Sequence, residues 1–340
     1  MTDGPNTSGR NTSGRNTSGS GGDGRMWLTG QRSLRAQRQG RFVADSIAHP
    51  ARMFPDLAAH IVARYSRPGD WVLDPMCGIG TTIVQAVRAG RRTVGVEYEP
   101  RWLRIARDNH DLARADGHHS PAHLVCGDAR RLRQVLPAEV VGQVSLVLTS
   151  PPYGPGVHGH LTNRDARDPI AKRHHRYAPT RSDRANLAHT TQPHLAAGMT
   201  AILTEAAAVL RPGGHVVMVV RPWRNGGVLV DLPEQMMTCA QDAGLVVTDR
   251  AAALLGRVDE STGELVTRSS FFQRLNVTRA RATGDPTHLI AHEDVIVATL
   301  GRLPGSSREL KASQAELRAP LPAVWHGDHG VREEPESCAS

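Results

Sequence analysis

Residues 72–82 read VLDPMCGIGTT, the pattern of a buried strand that stops at an acid, turns on two glycines and enters a helix. Asp74 closes the strand and Met76 and Cys77 occupy the turn. Gly78 and Gly80 let the backbone bend tightly and approach a ligand closely, and Thr81 with Thr82 opens the helix. This is the pattern of a nucleotide-type cofactor site. A dinucleotide fingerprint needs a further small residue in G-x-G-x-x-G/A, but the third position after Gly80 is Ile83. A carboxylate at the strand end repels a pyrophosphate and attracts an ammonium or sulfonium, so S-adenosylmethionine suits this loop better than NAD. For the loop taken alone, an ordinary glycine-rich strand-to-helix turn is the competing reading.

Working downstream, the helix runs to Gly90, a C-terminal cap, and a second strand over Thr93 to Val96 ends at Glu97 and Tyr98. That βαβ unit places Glu97 where an acid accepts hydrogen bonds from ribose hydroxyls. A helix from Pro100 to about Arg114 follows, its Trp102, Leu103, Ile105 and Ala106 forming a core face. A third strand, His123 to Cys126, ends in Gly127-Asp128, and such an aspartate can accept from the exocyclic amine of an adenine. Three strands in a row therefore end in acids. Upstream, Leu57, Ala58, Ile61, Val62 and Tyr65 follow the i, i+3, i+4 spacing of an amphipathic helix after Phe54, with Pro55 in its first turn.

The fourth strand, Ser145 to Thr149, runs into Ser150-Pro151-Pro152-Tyr153-Gly154. Two prolines cannot continue a ladder, so the carbonyls near Ser150 and Pro151 need a donor from outside the sheet. An exocyclic amine supplies it. Held by both hydrogens, its nitrogen lone pair is freed from the ring and aimed at a methyl sulfonium, while Tyr153 stacks on the base.

These motifs resemble those of the DNA amino-methyltransferases, which modify cytosine at N4 or adenine at N6. The resemblance rests on HPARMFPDLAAHIV (49–62), LDPMCGIGTT (73–82), VGVEYEP (94–100), CGDAR (126–130) and TSPPYG (149–154), in that order. VLRPGGHVVMVV (209–220) and HEDVIVATL (292–300) resemble the family's later strands. It implies that Asp74, Gly78, Gly80, Glu97 and Asp128 hold S-adenosylmethionine, with Phe54 at its methionine end and Met76, Cys77, Thr81 and Tyr98 beside it. It also implies that Ser150, Pro151, Pro152 and Tyr153 hold the target amine of a base flipped out of duplex DNA. Met76 stands where many relatives carry phenylalanine. Ser150 ahead of Pro-Pro-Tyr tilts the expectation toward cytosine N4.

No separate target-recognition segment stands out. Its place falls to a polar insertion over 155–190, where Arg164, Lys172, Arg173 and Arg176 are candidates for phosphate contacts beside the entry point of a flipped base. A solvated surface loop accounts for the same composition. The chain of 340 residues has a net charge of +8, carried by arginine, because Lys172 and Lys311 are its only lysines. Such a balance fits a polyanionic partner, and also coding bias with basic ends. Arg32, Arg35, Arg38 and Arg41 recur every three residues and read either as a solvated arm or as a nucleic-acid contact.

Four scattered cysteines without a C-x-x-C pair indicate neither a disulfide framework nor a zinc knuckle, and no metal site is expected among the histidines. Without an apolar run of membrane length or a signal-peptide core, the expected location is the cytoplasm.

The expected architecture is a doubly wound, mostly parallel α/β sheet of seven strands in a methyltransferase domain over 46–302. A disordered basic arm over 1–45 precedes it, built on the NTSGR repeat, and a loose tail over 303–340 follows. Strands near Leu245 to Leu254, Phe271 to Val277 and Asp294 to Leu300 form the antiparallel edge, and a strand over His215 to Val220 follows Pro212-Gly213-Gly214. Methylation of an RNA base or a protein amide, and a non-catalytic DNA-binding protein on a relict cofactor fold, are the alternatives to a DNA-modifying enzyme.

Overall fold

The structure, a computed structural model, describes residues 25–152, 160–162, 171–173, 186–225, 228–268, 271–284 and 287–301. Its centre is an eight-stranded sheet of β1 (Met26–Trp27), β2 (Trp71–Asp74), β3 (Arg92–Glu97), β4 (Ala122–Cys126), β5 (Val144–Thr149), β6 (Leu210–Val220), β7 (Leu245–Leu254) and β8 (His292–Leu300). The spatial order is β1-β7-β8-β6-β5-β2-β3-β4. All neighbours run parallel except β8, which lies antiparallel between β6 and β7. The order reverses between β2 and β5, and a doubly wound sheet opens its ligand crevice at such a point.

The helices are α1 (Leu34–Arg38), α2 (Pro55–Tyr65), α3 (Thr81–Arg88), α4 (Pro100–Ala115), α5 (Leu132–Val135), α6 (Gln192–Val209), α7 (Leu232–Asp242) and α8 (Phe271–Ala282). They divide between the faces by the two-residue period of the strands. Val72, Leu146, Leu148, Val217, Val219, Val295 and Val297 pack with Leu57, Ile61 and Val62 of α2. Their neighbours Leu73, Val147, Val216, Met218, Ile296 and Ala298 pack with Leu195, Met199 and Leu203 of α6 and Met236 of α7. Both faces are covered, which explains why the central strands read as unbroken apolar runs.

Three expectations are corrected. Phe271–Val277 is not a strand but the first part of α8. The edge beside β7 is taken by β1, with Met26 opposite Ala252 and Trp27 opposite Ala253, and Gln, Arg and Leu in this stretch favour a helix. The strand expected over His215–Val220 begins at Leu210, carrying Pro212-Gly213-Gly214 within it, and its pairing with β5 shifts register between Val144 and Leu146.

The third correction concerns residues 25–45, which are folded rather than an arm. Gln37 donates to Thr29 O at 3.1 Å and Arg32 O at 3.0 Å, and its Oε1 accepts from the Asp56 amide at 2.9 Å. Arg32 pairs with Asp56 at 2.8 Å. Arg38 is buried, donating to Met53 O at 3.1 Å and Thr81 Oγ1 at 2.8 Å, with its guanidinium 4.3 Å from the centre of the Phe42 ring. Burial and the neighbouring Arg52 lower its pKa to about 9. Of the four periodic arginines, these two therefore serve the fold.

Candidate active site

The glycine loop leaves β2 at Asp74 and is tied down by its own backbone: Cys77 N donates to Val96 O at 3.0 Å and Gly80 N to Cys77 O at 2.7 Å. Gly78 (φ +52) and Gly80 (φ +78) adopt the left-handed conformation, which strains any side chain with a Cβ. A Cβ on Gly78 would meet the His49 ring at 3.1 Å, and one on Gly80 would meet Ala106 of α4 at 3.1 Å. The two glycines thus have different tasks. Gly78 faces a cavity, whereas Gly80 allows α3 to start against α4 and lies outside the cavity wall.

That cavity has a volume of about 360 Å³, within the range of small-molecule sites. Phe54, Asp74, Met76, Cys77, Gly78, Thr81, Glu97, Tyr98 and Asp128 all line it, and so do Ser150, Pro151 and Pro152 at the end of β5. Tyr153, Arg164 and Arg176 lie outside the described residues. Lys172 and Arg173 belong to a short strand, Ala171–Arg173, antiparallel to His160–Thr162.

The acids at the strand ends differ. Asp74 is 4% exposed, and burial raises its pKa to about 7, with neighbouring Glu97 adding to the rise while the Thr82 hydroxyl and the Met76 amide at 3.1 Å oppose it. Glu97 is buried and raised by the same desolvation, against amide bonds from Glu99, Gly78 and Tyr98. Its Oε2 accepts from Gly78 N at 2.8 Å and its Oε1 from Glu99 N at 2.9 Å, so it braces the glycine loop as well as lining the cavity. Asp128 is half-buried. Burial pushes its carboxyl up, but bonds from Arg130, at 2.7 Å between Arg130 Nη2 and Asp128 Oδ2, leave it below the ordinary range. Cys77 is buried, and burial with Glu97 and Asp74 raises its thiol well above the usual value, which rules against a thiolate nucleophile.

Several wall residues carry no motif in the sequence. Asn186 donates to Glu99 Oε1 at 2.9 Å, so the last part of the 155–190 insertion folds back onto the acid wall. Arg52, Arg221, Arg268 and Glu293 come from four separate segments. Arg52 lies inside the 49–62 motif and Glu293 inside the 292–300 stretch, whereas Arg221 and Arg268 lie in no motif; tertiary packing brings the four to one cavity.

A cationic, hydroxyl-bearing cofactor fits this wall. Asp74 and Glu97 are carboxylates raised by burial, a condition that a bound positive charge relieves, and Gly78 permits close backbone approach. Phe54, Met76 and Tyr98 supply apolar surface to the same cavity.

Residues 8–108 match the family model described as DNA methylase. The chain is 42% identical over 59 residues to the Type II methyltransferase M2.DpnII of Streptococcus pneumoniae, covering 17% of this chain and 22% of that one. It is 48% identical over 44 residues to the Type II methyltransferase M.MthZI of Methanothermobacter thermautotrophicus, covering 13% and 12%. The matches thus span about a fifth or less of these curated relatives' lengths. The crystal structure of TrmN from Thermus thermophilus is similar with a TM-score of 0.45 at 17% identity, covering 78% of this chain and 53% of that one.

Proposed function

We propose that the protein, whose residues 8–108 match the DNA amino-methyltransferase family, transfers a methyl group from S-adenosylmethionine to the exocyclic amine of a DNA base, with cytosine N4 favoured over adenine N6. The observation that carries this reading is one shared cavity, which Ser150, Pro151 and Pro152 line together with Asp74, Gly78 and Glu97. Acceptor and donor groups of a methyl transfer need that adjacency, because holding two reactants together accounts for a large part of the rate gain.

When bound, S-adenosylmethionine supplies an electrophilic methyl group on a sulfonium. Asp74 is placed to balance the cofactor's positive charge, and Glu97 to accept from its ribose hydroxyls while it holds Gly78 in place. Asp128 offers what acceptor capacity Arg130 leaves to the adenine amine. The Ser150 and Pro151 carbonyls take both hydrogens of the target amine, Tyr153 stacks on the base, and the 155–190 insertion follows the phosphates through Arg164, Lys172, Arg173 and Arg176. Ser150, where adenine enzymes more often carry Asp or Asn, supports the cytosine preference.

The test is incubation of purified protein with labelled S-adenosylmethionine and amplified, unmodified genomic DNA, followed by mass spectrometry of the nucleosides. Label on cytosine N4 is expected, and label on adenine N6 would move the target within the family. Label on RNA or a protein amide, with DNA unlabelled, would overturn the DNA assignment.

A further inference from the structure

The cavity wall opposite the glycine loop is built by the antiparallel strand. Because β8 runs against its neighbours, its first residues lie at the edge where β2 and β5 end. Asp294 pairs with Val220, the last residue of β6, and Glu293 pairs with Ala253. Glu293 shares the parity of Val295 and Val297, so it belongs to the sheet face that carries α2 and Phe54. It lines the same cavity as Ser150 and Pro151, across two strand spacings, or about 10 Å. A flat heterocycle with contacts on both sides fits such a gap.

The carboxylate is unusually placed. Its Oε2 is buried and has no hydrogen-bond partner among the described residues, a costly condition for an acceptor unless a ligand supplies a donor. The charged and titratable groups around it are Arg221 just beyond β6, His292 and Asp294 on its own strand, and Arg52 and Arg268 along the cavity. Asp294 is itself engaged by Arg250 of β7 at 2.8 Å. Burial raises the Glu293 carboxyl above the ordinary range, with Arg221 and His292 opposing and Asp294 adding to the rise.

We propose, resting on the methyl-transfer reading above, that Glu293 is the catalytic proton acceptor for the target amine. As the nitrogen lone pair forms the N–CH3 bond, the S–CH3 bond breaks and sulfur keeps its electron pair. The nitrogen then carries a positive charge and a surplus proton. As the nitrogen becomes tetrahedral, one of its two hydrogens turns from its backbone carbonyl toward the Glu293 carboxylate, which takes that proton, becomes a neutral acid and returns the proton to water when product leaves. Ser150 cannot do this, because its hydroxyl is a weak base. A carboxyl raised by burial is better matched to the task near neutral pH than one in water.

The experiment compares wild type, Glu293→Gln and Glu293→Asp in methyl transfer to amplified genomic DNA, with S-adenosylmethionine affinity measured by calorimetry. Glu293→Gln should lower kcat by about 100-fold or more while cofactor affinity stays within about twofold, and Glu293→Asp should recover part of the loss. Wild-type kcat should rise with pH to a plateau, because the acceptor works only when ionised, and that limb should vanish in Glu293→Gln. Unchanged kcat and pH profile in Glu293→Gln would overturn the proposal. So would loss of cofactor affinity in both variants, which would mark a structural role. A wild type that binds S-adenosylmethionine yet labels no DNA would sink the underlying reading and this proposal with it, whereas a Glu293→Gln variant with wild-type kcat and pH profile would sink this proposal alone.

Discussion

The two walls of the cavity obey opposite rules. On one wall, β2, β3 and β4 run parallel; β2 ends in Asp74, β3 ends in Glu97, and β4 runs into the turn that carries Asp128. On the other, β6 and β8 run antiparallel, and the residues facing the cavity are Arg221 after one strand and Glu293 at the start of the other. The first wall is dominated by carboxylates, and the second sets one arginine beside one carboxylate. A polar ligand with its positive charge toward the first wall and a neutral base toward the second matches this division. The lesson is that a single antiparallel strand changes which end of a sequence segment reaches the site.

The contrast within the acid wall gives the largest expected effect. Asp74→Ala should weaken S-adenosylmethionine binding by about 1.5 to 3 kcal/mol, roughly 10- to 150-fold, the worth of a charge-assisted hydrogen bond. Asp128→Ala should weaken it by less, since that carboxylate is half-buried and already engaged by Arg130. Calorimetric titration of both variants checks the order, and equal losses would break the distinction between them.

Next comes the pH dependence of the same binding. Burial holds the Asp74 carboxyl at about 7, so below that pH the protein without cofactor carries it neutral. A cationic ligand favours the ionised form, so affinity should rise with pH, by up to about tenfold per unit below 7, and level off above it. The sign follows from the proton released on binding. In Asp74→Asn this slope should disappear, and a slope that persists there would assign it to another group.

Smaller effects separate two arginines of the folded segment around α1. Arg38→Ala removes the bonds to Met53 O and Thr81 Oγ1 and should lower stability by about 1 to 3 kcal/mol. Arg32→Ala breaks an exposed pair with Asp56 and should cost about 1 kcal/mol or less. Denaturant unfolding of both variants measures the difference. Equal costs would mean that the folded segment over 25–48 contributes little at Arg38.

Much of the acid wall was legible because its information is local. Asp74 closes its strand, Gly78 and Gly80 need left-handed backbone within the turn that follows, and Glu97 comes one βαβ unit later. Ser150-Pro151-Pro152 was legible for the same reason: prolines must end a central strand, and they end it at the cavity. For Gly80 the sequence shows only the need for a glycine, and the structure adds that a Cβ there would meet Ala106 of a neighbouring helix.

The remaining features depend on partners far away in the chain. The period of three in Arg32, Arg35, Arg38 and Arg41 reads as a solvated arm or a nucleic-acid contact, yet Arg38 is buried and bonded to Met53 O and Thr81 Oγ1. Phe271–Val277 is apolar enough for a strand, but the sheet edge it would occupy is taken by Met26–Trp27 from the other end of the described chain.

By itself, the sequence determined the alternation of strands and helices, the acids of one wall and the proline turn, since each follows from the backbone preferences of a few adjacent residues. Only the tertiary structure decided that β8 enters between β6 and β7, and with it that Glu293 rather than Leu300 stands at the cavity edge. Strand direction is set by which neighbours complete the hydrogen-bond ladder, and those neighbours, β6 and β7, are separated from β8 in sequence.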